Sequence, residues 1–399
     1  METFHYKKFK DSTPDETLFH IQSILHKIGL STIHEWIENE YEGCYSNRVS
    51  IYPTQLGTNG KGTDRIFALT SGYAELMERI QSNYFYVGAL DDKMRAYGGF
   101  QYAWDEKEFA VKDFMRAYGK HLQPMANRLQ KTNGQTDIKE VFEQCRYGDT
   151  LQQGMDFSAV PFQNLKTKES VYIPVPVLRD IYATNGTCAG NVRSEAIVQG
   201  LSEIIERNHN MQVLIKQITP PAVPDEFLKR FPVYSVIQDI QKDTKCKLII
   251  KDCSLGTGFP VIAAALVSRD SHKYIVKFGA HPVFEIALER TLTEMFQGRS
   301  IAEAVDASVC CYNENETCSF DNRHNVLKNA SGKYHYSFFK EASDIKFKAF
   351  EDRTCMNNSQ LLKYCTDFFE ERGYDIYIRD CGYLGFPTFQ LIIPGYSEI

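Results

Sequence analysis

Three stretches of the sequence share one register: ALTSGYAELMER at 68–79, AIVQGLSEIIER at 196–207 and ALERTLTEMFQG at 287–298. In each, a Glu stands seven residues after the leading Ala (Glu75, Glu203, Glu294), and Glu78, Glu206 or Gln297 follows three later. The apolar positions coincide too: Leu69, Tyr73 and Leu76; Ile197, Leu201 and Ile204; Leu288, Leu292 and Met295. Spacing of i, i+4 and i+7 is one face of an α-helix. A neighbouring polar stripe runs through Ser71, Glu75 and Glu78, through Gln199, Glu203 and Glu206, and through Arg290, Glu294 and Gln297. In the first two copies, two carboxylates one helical turn apart therefore point the same way.

If the three apolar stripes pack into one core, the acidic stripes beside them converge on one cleft. Four carboxylates gathered there repel one another, and taking them out of water is costly without cations. Mg2+ meets that need, since it takes oxygen ligands and completes its shell with water and substrate phosphates. Arg79 and Arg207, next after the second Glu, can bind phosphate oxygens or pair with the carboxylates. Decoration of a solvated face is the simpler account of one such helix. It is the weaker account of two that agree at Ala, Gly, both Glu and Arg, although a duplication that kept no function is an alternative.

Other motifs narrow the chemistry. The run NGTCAGN at 185–191 leads into the second acidic helix, where small residues let backbone amides approach an anion, although taken alone it reads as a turn. No G-x-x-x-x-G-K-[ST] occurs, which excludes a P-loop NTPase, and no G-x-S-x-G supports a hydrolase. His209 and His281 belong to a residue type that titrates near neutrality, but with no nucleophile motif beside them capping or packing is the simpler reading. Eleven cysteines include no Cys-x-x-Cys pair, which argues against a zinc or iron–sulfur site and for ordinary buried thiols. Cys310 and Cys311, near Cys318, are the ones whose polar setting allows reactivity.

Around the repeats, residues 15–28 predict an opening amphipathic helix, 47–52 a strand, 57–62 a turn-rich segment and 64–82 the first acidic helix. Residues 116–166 read as irregular, and 171–177 as an edge strand interrupted by prolines. A long helix is expected at 192–216, strands at 246–253, 259–267 and 273–278, and a helix at 283–297. A last helix at 359–371 and strands at 375–378 and 390–393 complete the pattern. The expected fold is α+β, a mixed α/β arrangement with acidic helices packed on β-sheet around a cleft. An N-terminal extension (1–54) packs on a main domain (55–399).

With 43% of residues hydrophobic, the chain can bury a large core. Its longest apolar run, PVIAAALV at 260–267, is far short of the roughly 18–20 residues of a membrane helix. The first residues lack the apolar stretch of a signal peptide, so a cytoplasmic location is expected. A net charge of −6 argues against diffuse binding to nucleic acid or anionic lipid.

The repeats, read together with TNGKGTDRIFALTSGYAELMERIQSNYF, TNGTCAGNVRSEAIVQGLSEIIERNHN and FGAHPVFEIALERTLTEMFQGR, resemble the YcaO family over nearly the whole chain, from the Lys10 region to the closing IPGYSEI. The likeness is closest to stand-alone members linked to methylthiolation of a ribosomal protein. It implies an ATP site in which glutamates on helices hold Mg2+. Carried over residue by residue, Glu75, Glu78, Glu203 and Glu206 would bind metal. Lys10, Thr17, Ser71, Cys188, Asn191 and Glu195 would line the nucleotide, and Arg207 and Arg290 would contact phosphate and act in catalysis. The family often has Ser where Cys188 stands.

The implied chemistry is activation of a peptide amide: a nucleophile adds to the carbonyl, the oxyanion attacks ATP, and phosphate leaves to give an azoline, thioamide or amidine. Azoline-forming members commonly end in a proline-rich tail, so the ending IIPGYSEI disfavours that product. Longer stand-alone relatives continue into a helical region, and a docking or oligomerisation surface is expected to be missing with it. The implied partners are a peptide or protein substrate, such as a ribosomal protein, or a methylthiotransferase, with a homodimer allowed. A thioamide-forming enzyme working with a partner and a non-catalytic nucleotide-binding accessory protein are the alternatives. Either Glu75→Gln or Glu203→Gln is expected to weaken Mg·ATP binding without unfolding the protein; unchanged affinity in both soluble variants, measured by calorimetry, would defeat the assignment.

Overall fold

The structure, a computed structural model, describes residues 9–38, 41–85, 103–117, 157–242, 246–271, 273–298, 317–329, 332–341, 343 and 345–398. It is a mixed α/β fold. Helix α1 (Pro14–Lys27) opens with a capping box in which Thr13 and Glu16 bond each other's backbone amides. Strands β1 (Thr32–Ile37), β2 (Tyr45–Ile51) and β3 (Gly57–Gly62) form an antiparallel sheet and feed α2 (Arg65–Gln81), the first acidic helix. Its N-cap, Asp64, accepts the Phe67 amide at 2.9 Å. The division expected near residue 54 falls between β2 and β3, neighbours in this sheet.

A second sheet has the order β4-β5-β11-β12-β7, from β4 (Lys107–Phe109), β5 (Phe157–Asn164), β7 (Thr187–Ala189), β11 (Tyr377–Asp380) and β12 (Thr388–Ile392). Strand β6 (Ser170–Pro174) pairs with β5 alone, the edge position that its prolines require. Strand β7 leads into α3 (Arg193–Ile215), the second acidic helix. Helix α4 (Tyr234–Lys242) precedes the third sheet, β8 (Cys246–Asp252), β9 (Val261–Ser268) and β10 (Tyr274–Ala280), in the order β10-β9-β8. Strand β10 runs into α5 (Phe284–Glu294), the third acidic helix, and α6 (Phe320–Asn329) and α7 (Asn358–Glu370) follow.

Three local expectations are corrected. The segment 57–62 is a strand rather than a turn, paired with β2 from Ser50↔Gly57 to Tyr45↔Gly62. Residues 157–164, expected to be irregular, form β5; residues 118–156 of that stretch lie outside the described residues. The strand expected over 171–177 stops at Pro174, where a helical turn begins. Among the described residues no helix is long and apolar enough to cross a membrane.

The apolar stripes do not share one core. Tyr73 and Leu76 of α2 pack with α1 and β2, Ile197, Leu201 and Ile204 of α3 pack with β10, α7 and β12, and Leu288, Leu292 and Met295 of α5 pack with α4 and β8. Strand β9 stands between the last two cores, with Val261, Ala263 and Ala265 facing one and Ile262, Ala264 and Leu266 the other. Convergence of the acidic stripes comes instead from cyclic packing. Each acidic helix follows an edge strand and lies against it, and each also touches the next unit's edge strand: α2 meets β7, α3 meets β10 and α5 meets β3.

Close approach makes this ring possible. The strand residue eight before each leading Ala (Gly60, Cys188, Gly279) faces the helix position four after it (Gly72, Gly200, Thr291). A Cβ on Gly60 would run into the Ala68 carbonyl and the Gly72 amide, and one on Gly200 would stand 2.7 Å from the Cys188 sulfur. The repeat is thus a strand and a helix, of which only the helix is plain in the sequence. Gly60→Ala is expected to cost about 1–3 kcal/mol by overpacking, read as a lower denaturation midpoint; an unchanged midpoint would contradict the close contact.

Candidate functional site

The acidic stripes of α2 and α3 and the first turns of α5 meet where the three units join. On α2, Arg79 folds back on its own helix, with Nη2 3.3 Å from Glu75 Oε1 and Nη1 3.0 Å from Glu78 Oε1. The second contact has the distance of an ion pair without the alignment of a hydrogen bond, and the buried Nη1 is left unsatisfied. On α3, Arg207 meets Glu203 Oε1 through Nε at 3.0 Å and Nη2 at 2.8 Å. Arg290, on α5, is near enough for its charge to act on Glu206 and Glu203, yet among the described residues it makes no ion pair.

Burial shapes the charges. It pushes the Glu78 carboxyl up to about 8, against the pull of Arg79 and with the repulsion of Glu203 and Glu75 added. Burial likewise lifts Glu206 to about 7, opposed by Arg290 and assisted by Glu203. Burial is the main cause of both shifts; glutamates on two helices add to it, and the nearby arginines offset it only in part.

A second cluster forms at the start of α3. Glu195, 5% exposed, accepts from Lys10 Nζ at 2.9 Å, from the Asp11 amide at 3.1 Å and from Asn191 Nδ2 at 3.1 and 3.3 Å. Thr17 Oγ1 donates to Asn191 Oδ1 at 2.7 Å. Burial works to raise the Glu195 carboxyl, but the Lys10 charge and these donors outweigh it and hold the carboxyl below its usual range. The structure therefore brings Lys10, Thr17, Asn191 and Glu195 together, although the sequence separates the first and last by 185 positions. Ser71 is half-buried on α2, one turn before Glu75. Cys188 stands apart: its thiol is fully buried against Gly200 and is 3.6 Å from the Phe389 carbonyl, and burial pushes it well above the usual thiol range.

Lys61 was missed in the sequence. From β3 it pairs with Glu294 of α5 and donates to Gln297 Oε1 at 3.1 Å. Gln297 Nε2 in turn donates to the Asn59 carbonyl at 2.5 Å and to Glu75 Oε2 at 3.3 Å. Burial and the like charge of Arg290 lower Lys61 to about 8, against the pull of Glu75, Glu206 and Glu203. The available signal was a lysine held between two glycines just before an acidic helix. His209, by contrast, is a core residue: it is 1% exposed, Nδ1 lies 3.1 Å from the Cys253 carbonyl, and burial lowers it to about 4.

Of the eight described cysteines, six are buried, Cys318 is half-buried and Cys355 is exposed, which suits packing rather than sulfur chemistry for most of them. Cys310 and Cys311 lie outside the described residues.

The donor set suits a hard cation carrying an anion. Among the described residues no three His, Cys, Asp or Glu side chains come close enough to hold an ion by themselves. Mg2+ needs no such cage, because one or two carboxylates and substrate phosphates suffice. The unsatisfied Arg79 Nη1 and the unpaired Arg290 match phosphate oxygens.

Comparison with known proteins agrees. In sequence, the chain is 29% identical over 397 residues to the ribosomal protein S12 methylthiotransferase accessory factor YcaO of Escherichia coli, covering 98% of this chain and 66% of that protein's length. In structure, it is similar to a heterocyclase in complex with substrate and cofactor, with a TM-score of 0.66 at 16% identity, covering 98% of this chain and 53% of that one. It is also similar to YcaO from Methanopyrus kandleri bound with AMPPCP and Mg2+, with a TM-score of 0.57 at 20% identity, covering 97% and 92%. A family model described as YcaO cyclodehydratase, ATP- and Mg2+-binding, matches residues 59–397. That span takes in all three strand–helix units with their glutamates and arginines, so the chain belongs to the YcaO family, with ATP and Mg2+ as its cofactors.

Proposed function

We propose that this protein uses Mg·ATP to activate a backbone amide of a peptide or protein, and that the three-helix junction is where it does so. Glu75 and Glu78 on α2 and Glu203 and Glu206 on α3 are the metal-binding groups. Ser71, Asn191, Glu195, Lys10 and Thr17 line the nucleotide, with Cys188 packed behind them. Arg207 and Arg290 bind the phosphates. The observation that carries this reading is the meeting of buried, undercompensated carboxylates with guanidinium groups at one junction.

Mg2+ bound there supplies charge stabilisation for the phosphoryl group in transfer. The chain's own residues orient the reactants. Arg290, with no ion-pair partner among the described residues, would take phosphate oxygens, and Glu203, now paired with Arg207, would help hold the metal. A nucleophile adds to the amide carbonyl, the resulting oxyanion attacks ATP with loss of ADP, and the phosphorylated oxygen then leaves as phosphate. The relative in Escherichia coli, named an accessory factor for ribosomal protein S12 methylthiotransferase, favours a ribosomal protein or a methylthiotransferase as the protein served. A thioamide-forming enzyme with a partner protein is the second enzymatic reading.

Titration of ATP into the purified protein is expected to give binding with Mg2+ and none with EDTA, and ATP turnover is expected to rise when the peptide or ribosomal acceptor is added. Turnover indifferent to every acceptor would favour a non-catalytic nucleotide-binding accessory role. The pH dependence has a definite sign. Glu78 and Glu206 are raised to about 8 and about 7, so they carry protons at pH 7 that a cation must displace. Mg·ATP binding at pH 7 should release protons and tighten between pH 6 and 8, seen as a dependence of the calorimetric heat on buffer ionisation; heat independent of the buffer would contradict it.

A further inference from the structure

We propose that His281 belongs to this nucleotide site as a phosphate-contacting residue, its Nε2–H donating to an oxygen of the β- or γ-phosphate of bound ATP. The inference rests on the reading above and adds a residue to it. His281 stands six residues before Ala287, the register held by Gly62 before Ala68 and Gly190 before Ala196. A Cβ at those glycines would come within 2.6 Å of the Ala68 amide and 2.8 Å of the Ala196 amide. The third unit departs from the pattern by placing an imidazole there, 6% exposed.

The ring is held in one protonation state and one orientation. The Val283 amide donates to Nδ1 at 3.1 Å. An amide can only donate, so Nδ1 carries no proton and the proton of the neutral ring sits on Nε2. The backbone amide of His281 bonds the Pro260 carbonyl at 3.3 Å, and Phe9 meets the ring edge-on with centroids 6.1 Å apart. Among the described residues Nε2 has no hydrogen-bond partner, and it is not fully enclosed, so it is open to a ligand.

The surroundings indicate what the missing partner is. Burial keeps the imidazole neutral, and the charges acting on it are those of Arg290 and Lys10, both cations. A neutral donor between two cations suits an anionic oxygen and repels a metal ion. Helix α5, 11 residues long, begins directly beyond with Val283 as its N-cap and no side-chain cap, in contrast to α1 and α2, which are capped by Thr13 and Asp64. Its first amides add to that positive potential, against the carboxylate of Glu285 in the same turn.

The test compares Mg·ATP with AMP, which has a single phosphate. His281→Asn keeps a side-chain carbonyl able to accept the amide two residues on, and loses the outer donor. It is expected to weaken Mg·ATP binding about tenfold, as for loss of a hydrogen bond to a charged group, with AMP affinity and the ligand-free melting temperature unchanged. Equal weakening of ATP and AMP, or no change in either, would overturn the proposal. Should His281→Asn melt early, His281→Gln, whose longer amide restores a donor near the Nε2 position, is expected to bind Mg·ATP like wild type; a tenfold loss there would count against it. Failure of the wild type to bind Mg·ATP would remove the nucleotide site altogether, whereas binding lost in Arg290→Ala but intact in His281→Asn would remove this inference alone.

Discussion

Carboxylates drawn out of water on neighbouring helices repel one another, and the arrangement of this protein turns on how that repulsion is contained. Glu78 and Glu206 are the groups that bear it, each pushed towards neutrality by burial. Arg79 and Arg207 offset part of the charge from within their own helices, and Lys61 offsets Glu294 from the neighbouring unit. Burial leaves part of that charge open to a further cation, and Arg290, which makes no ion pair among the described residues, is open to an anion. A metal–phosphate complex answers both together. The sheets and cores serve to hold three helices close enough for both to arise.

Much of this was legible in the sequence, because helical periodicity and the Ala-to-Glu register survive in one dimension. The ends of α2, α3 and α7 fall within a residue or two of expectation. The strands before the acidic helices were hidden by their own composition: Gly57, Gly60 and Gly62 read as turn residues, yet Gly60 and Gly62 are small because a helix lies against them, and Gly57 is crowded by Val49 and Ser50 of β2. Length and alternation cannot reveal that cause. The single shared core was an inference too far, since amphipathic stripes say which face is buried and not against what. The Lys61–Glu294 pair joins two units and leaves no mark in local spacing. The resemblance assigned Lys10 and Glu195 each to the nucleotide, but their contact with one another leaves no mark in the sequence.

That contact ties the beginning of the described chain to the start of α3. Asp11 accepts from Asn358 of α7 at 2.7 Å while its amide bonds Glu195, so the segment before α1 bridges two helices distant in sequence. Thr17 and Asn191 extend the bridge into α1. Ordering of this segment and shaping of the first turn of α3 are therefore coupled, and changes in one are felt by the other.

The departures of the third unit bear on direction. Three identical units in a ring would present a guest with three equivalent ways to sit, and an extended, unsymmetrical molecule would scatter among them. Here two units carry a pair of glutamates each, while the third carries a single one, Glu294, held by Lys61, together with Arg290, and has His281 where its counterparts have glycine. In the proposed site the negative end of a guest would be drawn to one side and its metal to the other, which would leave a single polarity. Broken symmetry thus gives the ring what repetition alone withholds: a head, a tail and a reproducible heading for whatever it holds.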